Sequence, residues 1–349
     1  MALSKITNAS VADTAVHGRR NLIINGSQIV AQRGTSFSSI SSATYPVDRF
    51  LVQDVNGSAG EATVSQSTTA PDDFKYSLKV DVTTADAALV AADQYKIEYR
   101  AEGQDVSHLN WGTSAAKTVT LSFWVRSNKT GNTQVALLNS ANDRSYVATF
   151  TIDAADTWEK KELTVAGDTS GTWLTTNGIG LRLRWGSYGS TYQTSSTDQW
   201  IGSQAMSRDD SPINFFDSTS NDFYLTGVQL EVGDASPFEH RSYGEELAAC
   251  QRYYQVIGNS AGRAYSSTQA ETYQQTQVPL RATNFSLSLN SGVEGHISGV
   301  SAYTLTAVVL SQHSTSNFVA RVTTSGNWNS YIGTVVGFLG SAFICDSEL

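Results

Sequence analysis

Hydrophobic and polar residues alternate along most of the chain from Asn21 onward, with a period of two residues. This period is typical of β-strands that bury one face. The predicted strands of the first part open near Leu22 and Ile24 and continue through residues 78–82, 95–99, 119–125, 146–152, 158–165 and 179–185. Turn pairs such as Gly131-Asn132 separate them. An apolar face opposite a polar face in each strand predicts two antiparallel sheets packed face to face, as a jelly-roll sandwich.

The stretch Phe223–Tyr254 closes this predicted sandwich. Its strand is predicted to present one apolar face, made of Tyr224, Thr226, Val228, Leu230 and Val232. Gly233-Asp234 ends the strand. Ser242 and Glu245 then have the S-x-x-E spacing of a capping box, which predicts a short helix over residues 243–252. A weaker helical pattern covers residues 85–93.

The alternation resumes after Tyr254, in residues 285–289, 303–309 and 318–322. We therefore predict an all-β fold: a jelly-roll β-sandwich followed by a second, smaller β-sandwich, with a short connecting helix and an extended N-terminal segment. The predicted division is residues 1–19 for the N-terminal segment, 20–241 for the jelly roll, and 242–349 for a C-terminal β domain with its leading helix.

The composition limits the classes of function. Only 16% of the 349 residues are charged, and the formal net charge is −9. A nucleic-acid partner is not expected, because phosphate contacts require a basic face. No apolar run reaches membrane-spanning length and no signal-peptide pattern follows Met1, so we expect no membrane insertion and synthesis in a cytoplasm. Cys250 and Cys345 are too few for a disulfide scaffold; free thiols are the favoured interpretation, and one bridge between them is the alternative.

No catalytic set stands out in the sequence. Residues 258–262 match the G-x-S-x-G pattern of α/β-hydrolases, but the surrounding strand pattern is antiparallel, so we interpret Ser260 as a turn residue. The five histidines lack the spacing of zinc ligands. Asp198, Asp209 and Asp210 are candidates to hold a structural calcium ion, although solvated turn residues are the simpler interpretation. We therefore predict that the protein is not an enzyme and needs no cofactor.

Aromatic residues in polar surroundings form the candidate binding surface. They are Trp124, in a strand face of Thr and Ser, and Trp185, Tyr188, Tyr192 and Trp200 around a polar loop. Aromatic rings stack on the apolar faces of sugars, while nearby amides and carboxylates bind the hydroxyl groups. These five residues are the predicted glycan-binding site. The alternative, favoured by the usual burial of tryptophan, is that Trp185 and Trp200 close the ends of the sandwich or pack at a subunit interface.

Three segments resemble one family. The run YLTGVQLEVGDASPFEHRSYGEELAACQRYY, from Tyr224 to Tyr254, resembles a segment of bacteriophage tail-fibre and related virion structural proteins. Residues 20–35 are similar to the opening strand of their jelly roll, which is like that of carbohydrate-binding modules, and residues 346–349 are similar to their chain ending. The resemblance implies a virion protein, a subunit of a tail fibre or capsid-attached fibre that mediates adhesion to host-surface glycans. A free-standing polysaccharide-binding module or a depolymerase accessory protein is the alternative.

The resemblance also gives the first residues a role. Residues 1–19 are polar, and their apolar positions, Leu3, Ile6, Val11 and Val16, are too scattered for a stable isolated helix. The resembling fibres attach to the particle at this end, which implies that these four residues contact other virion proteins; a disordered terminus is the equal alternative. The resembling fibres are generally three-fold, and closed cyclic symmetry is usual for identical chains, so we expect a homotrimer.

Overall fold

The structure, a computed structural model, describes residues 19–258, 260–264, 266, 269–289, 294–296, 303–324, 335–339 and 343–349. The chain divides into two compact units between Tyr243 and Gly244. The four apolar residues of the N-terminal segment, Leu3, Ile6, Val11 and Val16, lie outside the described residues. The predicted three-part division and the attachment role of that segment therefore stay predictions.

The first unit is built almost wholly from strands. Their bounds are β1 Ser36–Phe37, β2 Thr44–Val47, β3 Phe50–Asp54, β4 Glu61–Ser67, β5 Ser77–Thr84, β6 Gln94–Glu102, β7 Val119–Ser127, β8 Gly131–Leu138, β9 Ser145–Ile152, β10 Glu159–Val165, β11 Ile179–Tyr188, β12 Gln193–Thr194, β13 Trp200–Ile201, β14 Ser207–Arg208 and β15 Asp222–Val232. A short helix, α1 (Gly103–Val106), follows β6.

Two large antiparallel sheets face each other across the core of this unit. The six-stranded sheet has the order β1-β4-β5-β15-β7-β10, and the seven-stranded sheet has the order β13-β9-β8-β11-β6-β3-β2. Their inward side chains meet; for example, the ring of Phe123 from one sheet lies edge-on to the ring of Trp185 from the other, with centroids 5.6 Å apart. The predicted all-β jelly roll is confirmed.

A bulge interrupts the pairing of β15 with β7. The register between these strands shifts between Thr226 and Gln229. Gly227, inside the shift, has a φ of +60°, which is in the left-handed region that favours glycine. Because an extra residue in one strand reverses the alternation, odd-numbered side chains of β15 point into the core before the shift, and even-numbered side chains do so after it.

The core face of β15 follows this bulge. Phe223 and Leu225 contribute to the core before it, and Val228 and Leu230 contribute after it. Tyr224, opposite Lys79 of β5, lies on the outer face of the sheet. The predicted apolar face of this strand is therefore wrong for its first half and right for its second half.

The opening segment of the first unit is buried, but residues 19–35 contain no strand. Asn25 and Gln28 have left-handed φ values of 60° and 59°, which a strand does not allow. The side-chain amide of Asn25 bonds to backbone groups that a neighbouring strand would otherwise satisfy. It accepts a hydrogen bond from the N–H of Val30 at 3.0 Å and donates one to the Val30 carbonyl at 2.9 Å. The opening strand predicted near Leu22 is therefore wrong.

The beginning and the end of the first unit are joined by hydrogen bonds. The N–H of Leu22 donates to the carbonyl of Leu230 at 2.9 Å. The side chain of Asn21 donates to the carbonyl of Val228 and accepts from the N–H of Leu230, each at 3.1 Å. The guanidinium of Arg241 donates to the carbonyl of Ile23 at 3.1 Å. The first and last described segments of this unit therefore lie side by side.

The helices match the sequence only in part. α2 (Tyr243–Gln251) lies where the capping-box spacing predicts it. The helical pattern of residues 85–93 is wrong, because this segment is a loop between β5 and β6. Its backbone groups bond outside a helix: the N–H of Asp86 donates to Phe216, and the N–H of Val90 donates to the carboxylate of Asp93. No helix in the described part of the chain is long and apolar enough to span a membrane.

The second unit, taken by itself, contains a closed barrel. Its strands are β16 Tyr254–Ile257, β17 Ser260–Ala264, β18 Gln269–Gln275, β19 Ser286–Leu289, β20 Glu294–His296, β21 Tyr303–His313, β22 Asn317–Thr324, β23 Val335–Leu339 and β24 Phe343–Asp346. The barrel has the order β17-β18-β22-β21-β20-β23, and β16-β24-β19 form a three-stranded sheet. Where the alternation predicts two facing sheets, the structure has a barrel and a small sheet. Closure removes the exposed strand edges that an open sheet leaves.

Candidate functional site

The five aromatic residues predicted to bind glycan do not form one surface. Trp124 lies on the outer face of the six-stranded sheet, because its neighbours Phe123 and Val125 point into the core. Trp185 is 1% exposed and packs between the sheets. The prediction that Trp185 contacts a ligand is therefore wrong, and its packing within the sandwich follows the usual burial of tryptophan.

Tyr188 is the last residue of β11, and Tyr192 lies in the loop after it, which folds back onto the outer face of the seven-stranded sheet. Met206 from this loop covers Ala136 and Leu138 of β8, and Tyr188 completes the small buried cluster. Tyr192 packs against the same cluster and is half-buried. Burial raises the pKa of Tyr188 above its ordinary value. The exposed ring predicted at Tyr188 is therefore wrong, because the ring fixes the loop to the sheet.

Trp200 contacts two other tryptophans, Trp111 and Trp173, that the sequence analysis did not identify. Its ring centroid lies 5.2 Å from that of Trp111 and 5.3 Å from that of Trp173, and the latter two are 4.7 Å apart. All three pairs are edge-to-face, which the charge distribution of aromatic rings favours. We call Trp111, Trp173 and Trp200 the tryptophan cluster.

The indole N–H groups of the tryptophan cluster all bond to the protein backbone. Their acceptors are the carbonyl oxygens of Lys117 for Trp111 (2.8 Å), Ser170 for Trp173 (3.2 Å) and Ala166 for Trp200 (2.7 Å). The polar ends of the rings are thus satisfied within the protein. What remains available to a ligand is the apolar surface of the rings.

A cavity of about 140 Å³ opens beside Trp111 and Trp173. Its lining is uncharged and includes the apolar Leu109 and Leu174 and the polar Ser107, Asn110, Thr113 and Thr175. Asn110, Thr113 and Thr175 are exposed, so the polar groups surround the mouth. A cavity of roughly 150 Å³ accepts one molecule of the size of benzene. The space beside the tryptophan cluster therefore fits a single six-membered ring.

Two loops shape the walls of this cavity. The loop after α1 turns back at Asn110 and Gly112, whose φ values of 54° and 86° are left-handed. The N–H of Gly112 donates to the carbonyl of Asp168, in the loop after β10, at 2.7 Å. A Cβ at Gly112 would lie 2.8 Å from the carbonyl oxygen of Gly171, so the close approach of the two loops requires glycine there.

An ion pair fixes the loop that carries Trp173. Arg144 donates through Nε and Nη2 to the two carboxylate oxygens of Asp168, at 2.8 and 2.7 Å. The same carboxylate lies 3.3 Å from Nε1 of Trp173. The hydrogen bonds that Arg144 donates to Asp168 raise the pKa of Arg144. Because a two-pronged pair of this kind fixes direction as well as distance, the orientation of the Trp173 ring is set before any ligand arrives.

The sequence analysis missed Trp111 and Trp173 because neither lies in an alternating strand. Trp111 stands between Asn110 and Gly112, and Trp173 follows the turn residues Gly171 and Thr172. A tryptophan within a polar turn segment has no local core to fill. That mismatch is the signal that could have identified both residues.

Two of the carboxylates considered as calcium ligands bond to side chains or backbone groups of the protein. The carboxylate of Asp198 accepts bonds from the N–H and the hydroxyl of Thr149, and Asp210 pairs with Arg208. Within the described ranges, no group of three or more His, Cys, Asp or Glu residues is placed to hold a metal ion, and the calcium ion stays a prediction. Ser260 begins strand β17 and is not in a turn.

The two cysteines are buried, and no disulfide bond joins Cys250 to Cys345 in the structure. Burial raises the pKa of the Cys345 thiol to about 12. Since the thiolate is the reactive form, this thiol is unreactive near neutral pH.

Comparison with known proteins gives distant structural likenesses only. No family model and no curated protein sequence matches the chain. A candidate sugar-binding protein from Bacteroides thetaiotaomicron is 11% identical, with a TM-score of 0.33 over 61% of this chain and 100% of its own. A xylan-binding domain from Paenibacillus barcinonensis is 15% identical, with a TM-score of 0.30 over 56% of this chain and 98% of its own.

The enzymatically active domain of tailspike protein 4 from Bacteriophage CBA120 is 9% identical, with a TM-score of 0.29. The match covers 61% of this chain but only 21% of the tailspike. Likenesses at these TM-scores carry no argument about function.

Proposed function

We propose that the first unit binds a neutral saccharide in the cavity beside Trp111 and Trp173. The observation that carries this proposal is an uncharged, ring-sized cavity with aromatic walls and polar side chains at its mouth. Sugar rings have apolar C–H faces that stack on indoles, and hydroxyl groups that need hydrogen-bond partners at the rim. A charged group would not use the aromatic walls, and a flat apolar molecule would not use the polar side chains at the mouth.

The test is binding of neutral oligosaccharides, measured by isothermal titration calorimetry. Replacing Trp173, which is half-buried and fixed by Asp168, should weaken binding about tenfold to a hundredfold in Trp173→Ala, since burying an aromatic side chain contributes about 1.5–3 kcal/mol. Trp173→Phe should keep part of the affinity.

Trp158→Ala is the matched control for this experiment. Trp158 is also half-buried, but it packs against Tyr224 on the outer side of the six-stranded sheet. This variant should bind as the native protein does. Absence of any neutral saccharide ligand for the native protein, or native affinity in a folded Trp173→Ala variant, would contradict the proposal.

We further propose that the protein is a bacteriophage fibre or spike subunit, a homotrimer that attaches to the particle through residues 1–19 and adheres to a host-surface glycan. The support is the resemblance of Tyr224–Tyr254 and of the two chain-end segments to virion structural proteins. Mass spectrometry of purified particles should detect the protein, and deletion of residues 1–19 should abolish its incorporation. Sedimentation of the full-length protein should give a trimer; a stable monomer at micromolar concentration would refute it.

The alternative is a free-standing polysaccharide-binding protein that accompanies a depolymerase. It shares the saccharide cavity but predicts absence from purified particles. Release of reducing sugar from host polysaccharide by the protein alone would instead assign it an enzymatic activity, against the prediction that it is not an enzyme.

A further inference from the structure

The second unit carries a tyrosine ring on the outside of its barrel. Tyr273 of β18 is 66% exposed, whereas its neighbours Thr272 and Gln274 are buried. The phenol makes no hydrogen bond or aromatic ring contact with another described residue. Scattered exposed hydrophobic side chains are ordinary on protein surfaces, so the surroundings of this ring decide whether it can bind a ligand.

A groove of about 220 Å³ opens beside Tyr273. The strand register places Val319 of β22 opposite both Tyr273 of β18 and Gln312 of β21. Phe318 and Ala320, on either side of Val319, belong to the core, so Val319 and the two residues opposite it point outward. The groove is lined by Tyr273, Gln312, His313, Ser314, Asn317, Phe318 and Val319. We call these residues the Tyr273 groove.

Hydrogen bonds fix the β21–β22 hairpin that forms one end of the Tyr273 groove. The hydroxyl of Ser314 accepts a hydrogen bond from the N–H of Asn317 at 3.0 Å, and the N–H of Ser314 donates to the Asn317 carbonyl at 2.7 Å. The carbonyl of Thr315 accepts a hydrogen bond from the N–H of Leu280 at 2.7 Å, which ties the hairpin to the chain after β18. A ligand therefore meets a wall that is already in place, which lowers the entropy lost on binding.

The polar side chains of the Tyr273 groove retain unused hydrogen-bonding groups. The side-chain amides of Gln312 and Asn317 make no hydrogen bond to another described residue. Each amide has a carbonyl oxygen that accepts and an NH₂ group that donates. The exposed ring of His313 lies edge-on to the ring of Phe285, with centroids 5.8 Å apart, and this apolar contact holds the imidazole at the groove. Donors and acceptors therefore surround one aromatic face.

The composition of the Tyr273 groove favours an uncharged ligand. No Asp, Glu, Lys or Arg residue lines it. The charged residues of β18 and β22 are Glu271 and Arg321, and these two pair with each other at 2.7 Å. The polar border around a single ring also differs from the apolar centre that a protein–protein interface requires. A ligand with one apolar face and a polar edge matches both properties.

We propose that the Tyr273 groove is a second saccharide-binding site, which binds a neutral sugar ring. The apolar C–H face of the sugar stacks on the ring of Tyr273, and the amides of Gln312 and Asn317 bond to hydroxyl or acetamido groups at its edge. The groove is larger than the roughly 150 Å³ that holds one benzene molecule, so a sugar ring with its substituents fits. This site goes beyond the proposed function, because it rests on the second unit alone and not on the cavity beside Trp173.

Isothermal titration calorimetry of the full-length protein tests this site with two neutral probes, cellotriose and N-acetylated chitotriose. The probes share one linkage and differ in an acetamido group that replaces a hydroxyl group. The titrations use the Trp173→Ala background, in which the cavity of the first unit contributes little. At least one probe should bind, and adding Tyr273→Ala should weaken that binding at least about tenfold, because the stacking face is lost.

Two further variants separate the ring from the polar groups. Tyr273→Phe keeps the stacking face and should retain most of the affinity. Gln312→Leu keeps a similar size without the amide and should weaken binding severalfold. Tyr243→Ala is the matched control: Tyr243 is 59% exposed but does not line the groove, so its loss should leave the affinity unchanged.

The outcomes distinguish this proposal from the proposed function. Absence of binding by both probes in the Trp173→Ala background, or unchanged affinity on adding Tyr273→Ala, overturns the second site. Self-association that Tyr273→Ala abolishes, without binding of either probe, would assign the groove to a contact between copies and overturn the saccharide. If Trp173→Ala alone has no effect while Tyr273→Ala abolishes binding, the cavity of the first unit is contradicted and the Tyr273 groove is supported.

Discussion

The two outer faces of the sandwich both carry ion pairs, but the pairs differ in burial and in the number of cations that contact each carboxylate. On the six-stranded sheet, Lys79 pairs with Asp81 at 3.0 Å and Arg126 pairs with Asp156 at 2.7 Å, and both acids are about half exposed. On the seven-stranded sheet, the buried carboxylate of Glu98 lies 2.8–2.9 Å from four cations, those of Lys96, Arg100, Arg182 and Arg184. Lys79 and Lys96 each have an acid two residues further on the same strand, yet their pKa values move in opposite directions.

The difference shows that an ion pair alone does not determine a lysine's protonation. Burial acts to lower the pKa of both lysines. At Lys79, the hydrogen bond to Asp81 and the neighbouring Tyr224 outweigh it, and the pKa is raised. At Lys96, deeper burial and two neighbouring guanidinium groups outweigh the pair with Glu98. The number of charges sharing a carboxylate, and their burial, decide the sign.

The largest expected effect is the loss of the carboxylate that four cations share. Glu98→Gln leaves those cations buried without a countercharge, so the free energy of unfolding should fall by about 3–5 kcal/mol. Asp81→Asn, the corresponding change on the other face, removes a half-exposed pair and should cost about 0–1 kcal/mol. Urea unfolding of both variants at pH 7 measures the difference. Similar losses in the two variants would show that the faces do not differ as described.

A smaller loss of stability is expected from a substitution at the bulge in β15, which lies in the six-stranded sheet. In Gly227→Ala, a Cβ would lie 2.8 Å from ring atoms of both Phe74 and Trp124, at a φ of +60°. The free energy of unfolding should fall by about 1–3 kcal/mol, from left-handed strain and displaced rings. Gly57→Ala separates the two causes, because Gly57 has a φ of +66° with no atom near its Cβ position. If both variants lose the same stability, the ring contacts contribute nothing.

The smallest effect is a pH dependence of opposite sign on the two faces. The folded-state pKa of Lys96 is about 8, below the unfolded value of about 10.4, so the unfolded chain binds more protons between these pH values. Stability contributed by Lys96 should therefore rise with pH across this window. Lys96→Met should remove that rise.

Lys79→Met tests the other face. The raised pKa of Lys79 means that its contribution is present below the unfolded value of about 10.4 and is lost as pH rises through the folded value. Urea unfolding of the native protein and both variants from pH 7.5 to 10.5 gives the two slopes. Equal slopes for the two variants would contradict the assigned directions.

The strands could be predicted from the sequence because alternation is a local property. Trp185 follows Leu181 and Leu183 at the two-residue period, and the three side chains are buried in the same core. The alternation rule failed at Tyr224, since the bulge at Gly227 reverses the alternation and only the pairing with β7 reveals it.

The candidate site was less predictable than the strands. Trp111 and Trp173 meet only because two loops from distant parts of the chain bond through Gly112 and Asp168. Tyr188 is buried only because Met206, from later in the chain, covers it. No local pattern records such contacts, so the sequence singled out Trp200 but not its neighbours Trp111 and Trp173.

The bonds of Asn21 and Leu22 to Val228 and Leu230 have a consequence for modularity. A unit whose two ends meet can be transplanted between adjacent residues of a surface loop in another protein without separating the flanking chain. For the same reason, tension pulling the ends apart loads these few hydrogen bonds first and peels them one after another. We therefore expect the sandwich to open first at this corner.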